Sequence, residues 1–226
     1  MDTVLELKNI SKKYEMNNNV QPVLQNVDLK IGKEDMLAIM GRSGSGKSTL
    51  LMIMGTLLKP DSGLLRVLGN DISMVSADEI SKLRRERIGF IFQDFRLLEN
   101  LNVGENILLP LVLDQHYSKE MTAQMMQIAK KLEINTILNK SIKDISGGEK
   151  QRVAIGRALI NNPDIILADE PTGNLDSKSC TIILDLLSKI NNEMGKTIVI
   201  VTHDNYVAKQ CKKIFELKDG SIFLND

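Results

Sequence analysis

Cysteine is almost missing from this chain. The two in 226 residues, Cys180 and Cys211, stand far apart and show none of the spacings that build zinc sites. No disulfide framework or metal scaffold is therefore expected, and reduced structural thiols in a cytosolic protein are the default. A charge excess of either sign is missing too, since Lys plus Arg and Asp plus Glu both number 29. With no overall field to attract nucleic acid or anionic lipid, no nucleic-acid partner is expected. Long hydrophobic runs are absent: no window approaches the ~20 apolar residues of a membrane span, and the longest candidate, 107–113, contains Pro110. The opening MDTVLELKN carries charge early and lacks the apolar stretch of a signal peptide. A role at a membrane would need another chain to do the crossing. The length does permit a sizeable core, with roughly 70–75% of the extended surface buried on folding.

The chemistry that is present centres on residues 41–49, GRSGSGKST, preceded by the apolar run 36–40 and followed by a helix-compatible run. Gly-x-x-x-x-Gly-Lys-Ser at a strand-to-helix junction suits a nucleotide polyphosphate. Gly41, Gly44 and Gly46 let backbone N–H groups of the loop (Arg42, Ser43, Ser45 and Thr49 included) close on phosphate oxygens, and the helix N-terminus adds partial positive charge. Lys47 would reach the β- and γ-phosphates, and the Ser48 hydroxyl would complete a Mg²⁺ shell.

Around this loop the pattern is that of an α/β protein. Residues 4–10 and 23–31 read as strands of a small antiparallel sheet, joined through a polar turn at 15–19. Tyr14, at the end of the first, suits either adenine stacking or an ordinary half-buried strand edge. A strand at 64–68, a capped helix from Ser76 to about Arg87 and a strand at 88–92 ending in Gln93 follow. The basic run Lys82, Arg84, Arg85, Arg87 reads as a solvated helix face. From 94 to 162 the sequence turns helical and rich in Met and Leu, with helices near 103–113, 119–132 and 149–161. This reads as an inserted helical lobe in a single domain whose core is 1–93 plus 163–226. Phe95, Leu97, Leu98 and Leu101 face either a partner helix or, more simply, the lobe's own core.

Ser146-Gly147-Gly148-Glu149 opens a helix and allows two readings: a capping box, or a second anion site at a helix N-terminus. Local physics does not choose between them. The apolar strand 165–168 ends in Asp169-Glu170, a placement that suits an Asp holding Mg²⁺ through water and a Glu activating a water against a γ-phosphate. Asn174-Leu175-Asp176 precedes a helix over 177–191. His203 ends the strand 197–201, at the edge where open α/β sheets bind ligands. His116, in a polar stretch, reads as an ordinary surface residue, and 213–224 reads as a closing hairpin.

In this order, the glycine loop, Gln93, ISGGE, ILADEP, Asn174-Leu175-Asp176 and His203 resemble the ATP-binding subunit of an ATP-binding cassette (ABC) transporter over essentially the whole chain. The resemblance implies a P-loop ATPase core with an antiparallel β subdomain and a helical subdomain, working with ATP and Mg²⁺. It makes Tyr14 the adenine-stacking aromatic, residues 41–49 the Walker A loop, and Gln93 a sensor of Mg²⁺ and water. Asp169 and Glu170 become the Walker B pair, Asp176 a dimer contact and His203 the γ-phosphate sensor. Residues 146–149 become a signature loop that meets ATP on the opposite subunit. A head-to-tail homodimer enclosing two ATP molecules follows, peripheral on the inner face of the cell membrane and bound to a separate integral-membrane permease. The segments IGFIFQDFRLLENLNVGENILLPL and ILADEPTGNLDSKS are similar to the branch of macrolide and lipoprotein exporters, antimicrobial-peptide transporters and the cell-division ATPase.

Two positions depart from the pattern: Ile145 replaces the usual Leu, a volume-conserving change, and Glu149 replaces Gln. A carboxylate about 5 Å from a phosphate costs on the order of 3 kcal/mol at an effective dielectric of 20, so Glu149 is expected to turn back and cap its own helix. Rival readings are a regulatory membrane complex that signals to a cell-wall hydrolase without transport, which shares every site residue, and a soluble ABC-type ATPase. The neutral charge and the lack of heptads disfavour the second.

Overall fold

Strand alternation determines how the layers stack. In the computed structural model, which describes residues 2–16, 19–113 and 119–225, the strands β3 (Met36–Met40), β8 (Thr197–Thr202), β7 (Ile165–Asp169) and, at one edge, β6 (Ile88–Ile91) run parallel in a six-stranded sheet. Its order is β10-β9-β3-β8-β7-β6, with β9 (Lys213–Lys218) parallel to β3 and β10 (Ser221–Asn225) closing the edge as an antiparallel hairpin. The central strands are apolar on both faces, as a sheet covered on two sides requires. Ile166, Ile198 and Ile200 point into one hydrophobic cluster, while Ile165, Leu167, Val199 and Val201 point into the other.

The second of these clusters lies under helix α1 (Lys47–Met54) and a four-stranded antiparallel sheet. That sheet, in the order β2-β1-β4-β5, contains β1 (Thr3–Met16), β2 (Asn19–Gly32), β4 (Ser62–Val67) and the two-residue β5 (Asn70–Asp71). It is the small antiparallel sheet expected from the sequence, although its first hairpin is longer. β1 continues to Met16 and β2 begins at Asn19, so most of the polar stretch read as a turn pairs as strand. Turn propensity at Glu15 and Asn19 gives way to ladder hydrogen bonds there.

The other cluster combines the sheet face with helices α3 (Val103–Leu113), α4 (Lys119–Lys131), α5 (Gly147–Leu159) and α6 (Ser177–Met194). In α6, Ile183, Leu184, Leu187 and Ile190 fall on one stripe at helical spacing and fill it. Helix α2 (Ala77–Arg87) buries no residue, and its capping box is formed at Ser76 and Glu79. Its arginines do more than meet solvent: Arg84 donates to the Thr56 carbonyl at 3.2 Å, and Arg87 pairs with Asp164. Leu97 packs against the core, whereas Leu98 is 44% exposed. The 98–102 stretch is held by fully buried Asn106, whose side chain bonds the Leu98, Leu101 and Asn102 carbonyls and the Leu98 N–H. A 3-10 turn at Ile142–Asp144 and a short helix α7 (Asn205–Ala208) complete the elements. His116 lies outside the described residues.

Candidate functional site

The C-terminal ends of β3, β7 and β8 open onto one cleft of about 770 Å³. Its walls carry Tyr14, Gln21, Val23, Arg42, Ser43, Gly44, Gly46, Lys47, Ser48, Thr49, Gln93, Asp169, Glu170 and His203. Most of the residues singled out in the sequence thus converge, because parallel strands deliver their termini to one edge.

The loop after β3 is built for close backbone approach. Gly46 sits at φ +100°, and a Cβ there would stand 2.9 Å from Val23 Cγ1, so neither its conformation nor its packing admits a side chain. Helix α1 has Gly46 at its N-cap and no side chain capping it, which leaves its first N–H groups for an anion. Lys47 is buried, and its Nζ donates to the Gly41 and Arg42 carbonyls at 2.8 and 3.0 Å. Its charge is held inside the loop, where phosphate oxygens would replace those carbonyls. Gly41 and Ser45 shape the loop from behind, where a Cβ on Gly41 would collide at 2.5 Å with the Leu217 carbonyl and with Ser45 Oγ. Tyr14 is 38% exposed and its hydroxyl lies 3.5 Å from Thr49 Oγ1, leaving a ring face beside the cleft.

Ser48 Oγ donates to Asp169 Oδ1 at 3.1 Å. Burial pushes the Asp169 carboxyl above its ordinary range and the neighbouring Glu170 adds to the push, while the Ser48 bond opposes it. A carboxyl raised in this way stabilises the fold while protonated and loses that contribution as pH rises through its elevated value. Once ionised, this carboxylate has too few partners to offset its burial, which favours a cation beside it. Hard oxygen donors from a hydroxyl and a carboxylate suit Mg²⁺, which keeps waters and takes phosphate oxygens for its remaining positions. Among the described residues no three His, Cys, Asp or Glu side chains group as metal ligands, so most of the shell must come from phosphate and water.

Glu170 stands at φ +45°, left-handed for a residue with a side chain. Its Oε1 lies 2.7 Å from His203 Nδ1 and 3.1 Å from the His203 N–H, and its Oε2 lies 3.1 Å from Thr202 Oγ. Thr202 was not anticipated from the sequence; the hydroxyl before a strand-ending His-Asp was the available signal. Gln93 is held by Asn174 Nδ2, which bonds its carbonyl at 2.8 Å, and its amide lies over Gly173, where a Cβ would approach to 3.0 Å. Beyond it Phe95 and Arg96 both adopt positive φ, and Arg157, from the last turn of α5, bonds both of their carbonyls.

Asp176 and residues 146–149 lie outside the cleft walls. Asp176 caps α6, accepting from the Ser179 N–H and Oγ, and these bonds hold its carboxyl below the ordinary range. Gly147 and Gly148 pack by Leu175 and Ser179 of the same chain. Ser146 and Glu149 form the full capping box: Glu149 Oε2 accepts from the Ser146 N–H at 2.7 Å and its hydroxyl at 2.8 Å. The Glu149 carboxyl is accordingly held below its ordinary range, first by the Ser146 N–H. Because this carboxylate folds back on its own helix, Glu149→Gln is expected to leave ATPase activity within about threefold, since an amide retains the cap. A steady-state rate changed by about tenfold or more in either direction would place the side chain at a phosphate instead.

Comparison with known proteins supports this architecture. The ABC transporter family profile matches residues 24–173. The bacitracin export ATP-binding protein BceA of Halalkalibacterium halodurans is 41% identical over 97% of this chain and 87% of its own length. The macrolide export ATP-binding/permease protein MacB of Campylobacter jejuni is 46% identical over 96% of this chain, which spans 33% of that longer protein. A dimeric structure of the ATP-binding cassette MJ0796, in a post-hydrolysis state with ADP and Pi, superposes with a TM-score of 0.89 at 43% identity, covering 98% of each chain. With the profile match over more than half of its length and these relatives spanning nearly all of it, the chain belongs to the ABC transporter family.

Proposed function

We propose that this chain is the ATP-binding and ATP-hydrolysing subunit of an ABC exporter. It works as a pair of copies beneath a separate permease, on the inner face of the cell membrane. The observation that carries the reading is the separation of two half-sites. Lys47, Ser48, Asp169, Glu170 and His203 share one cleft, while Ser146 and Gly147 lie outside its walls; in this reading a second copy supplies the latter to enclose a triphosphate. The names of BceA and MacB support export of peptide or drug-like cargo, and the dimeric cassette structures support the paired arrangement.

In this reading Arg42–Thr49 backbone amides and Lys47 grip the β- and γ-phosphates, and Tyr14 stacks on the base. Ser48 and Asp169 would hold Mg²⁺, with Gln93 beside them to sense it, and the ion would supply charge to offset the phosphates. Glu170 orients and polarises the attacking water, and His203 turns from Glu170 toward the γ-phosphate. Electrostatic positioning by these fixed groups supplies most of the rate. Asp176 and its loop contact the other copy. Residues 94–162 form the lobe that rocks against the 1–93 and 163–226 core, with Gln93 at the joint.

No helix among the described residues is long and apolar enough to cross a membrane, so the membrane part of the proposal requires a partner. Co-expression with a candidate integral-membrane permease, followed by detergent solubilisation and affinity purification, is expected to recover both chains together. It should also show ATPase activity higher than that of the subunit alone. Recovery of the subunit entirely in the supernatant, with activity indifferent to the membrane protein, would remove the permease from the assignment.

A further inference from the structure

The carboxylate of Glu170 is held from the neighbouring strand. His203 meets Oε1 with its backbone N–H and ring, and Thr202 meets Oε2 with its hydroxyl at 3.1 Å. These two partners differ in freedom. The His203 side chain is 67% exposed, so it can turn toward a ligand, whereas Thr202 is 1% exposed at the buried end of β8. The direction of the Thr202 bond is determined by its surroundings. Its oxygen accepts from the Asp204 N–H at 3.0 Å, and an ionised carboxylate offers only acceptors, so the hydroxyl proton points to Glu170. At the other end of the bond the Glu170 backbone sits at φ +45°, a conformation that persists only where its surroundings enforce it.

We propose that Thr202 is a positioning residue for hydrolysis: its hydroxyl locks one oxygen of Glu170 so that the other stays aimed at the attacking water when His203 swings to the nucleotide. The inference rests on the reading of Glu170 as the water-polarising group, and adds to it the group that sets its angle. Thr202 does not line the cleft, so its action is indirect, through Glu170.

The test compares Thr202→Val with Thr202→Ser in the full-length chain, measuring steady-state ATPase with Mg²⁺-ATP. Valine replaces the hydroxyl with a methyl of similar size and keeps the β-branched strand preference, at the cost of the acceptor for the part-buried Asp204 N–H. Thr202→Val is expected to lower kcat about tenfold, the rate equivalent of one hydrogen bond to a charged group, with KM for ATP unchanged. Thr202→Ser, which keeps the hydroxyl, should stay within about twofold of wild type. A purely structural role would instead move both variants together, or raise KM along with the loss of kcat, and either result overturns the proposal. Glu170→Gln measured in parallel separates the two ideas. If it still turns over, the reading of Glu170 fails and takes Thr202 with it. If it is inert while Thr202→Val runs at the wild-type rate, only the Thr202 proposal falls.

Discussion

Glu170→Gln is expected to bind ATP, to pair into a stable dimer on Mg²⁺-ATP, and to lose turnover by about 10²- to 10⁴-fold, the range a positioned general base contributes. The substitution suits this purpose because the amide keeps the shape of the site. Its carbonyl oxygen can still accept from Thr202 Oγ or the His203 N–H, the groups that hold the carboxylate at 3.1 Å in the wild type. The left-handed backbone at Glu170 therefore keeps its support. What is lost is the negative charge that would draw a proton from water. Phosphate release and size-exclusion chromatography read the two halves of the expectation separately. Turnover above roughly a tenth of wild type would take Glu170 out of the base role.

Mixing two inactive variants is expected to restore hydrolysis. Lys47→Met removes the ammonium that now rests on the Gly41 and Arg42 carbonyls. Gly147→Asp places a charge at the first turn of α5, where an added Cβ meets Leu175 Cδ2 at an ordinary 3.5 Å. The aspartate is therefore accommodated by its own chain, and a carboxylate at a helix N-terminus is favourable there. Against a triphosphate about 5 Å away, however, it costs on the order of 3 kcal/mol per charge. Each variant alone should be nearly inert. In an equal mixture half of the dimers carry one intact composite site, so activity should recover to about a quarter of wild type for independent sites. The control reverses the arrangement: a chain with both substitutions, mixed with wild type, forms heterodimers that have no intact site. In that control the wild-type homodimers alone give about a quarter of wild-type activity; if it instead runs at about half while the two single variants stay silent together, both loops serve the same chain's nucleotide and the paired arrangement is wrong.

How much of this could be read from the sequence depended on whether a residue's role is local. The phosphate loop announces itself because glycines, lysine and serine must stand at fixed spacing between a strand and a helix. Asp169-Glu170 and His203 were legible because apolar runs stop at them, and strand ends in a parallel sheet share one edge. The capping box at Ser146 was also legible, although the helix it opens begins at Gly147, earlier than the expected 149. A capping serine places its partner glutamate in the first turn and not before it. Thr202 escaped notice because its bond spans 32 residues of sequence and exists only through the β7–β8 pairing. Arg157 escaped for the same reason, reaching carbonyls 61 and 62 residues away.

Helix α5 consequently has a length that cannot drift. Its first turn presents Ser146 and Gly147, and its last turn carries the Arg157 fork that grips the carbonyls just past Gln93. One inserted or deleted residue would turn the fork by about 100° and slide it about 1.5 Å along the axis, pulling it off both carbonyls. The helix thus acts as a ruler between the Ser146 turn and the loop just past Gln93. Within this chain, exchanging a side chain along the helix leaves that spacing intact, whereas adding or removing a residue breaks it.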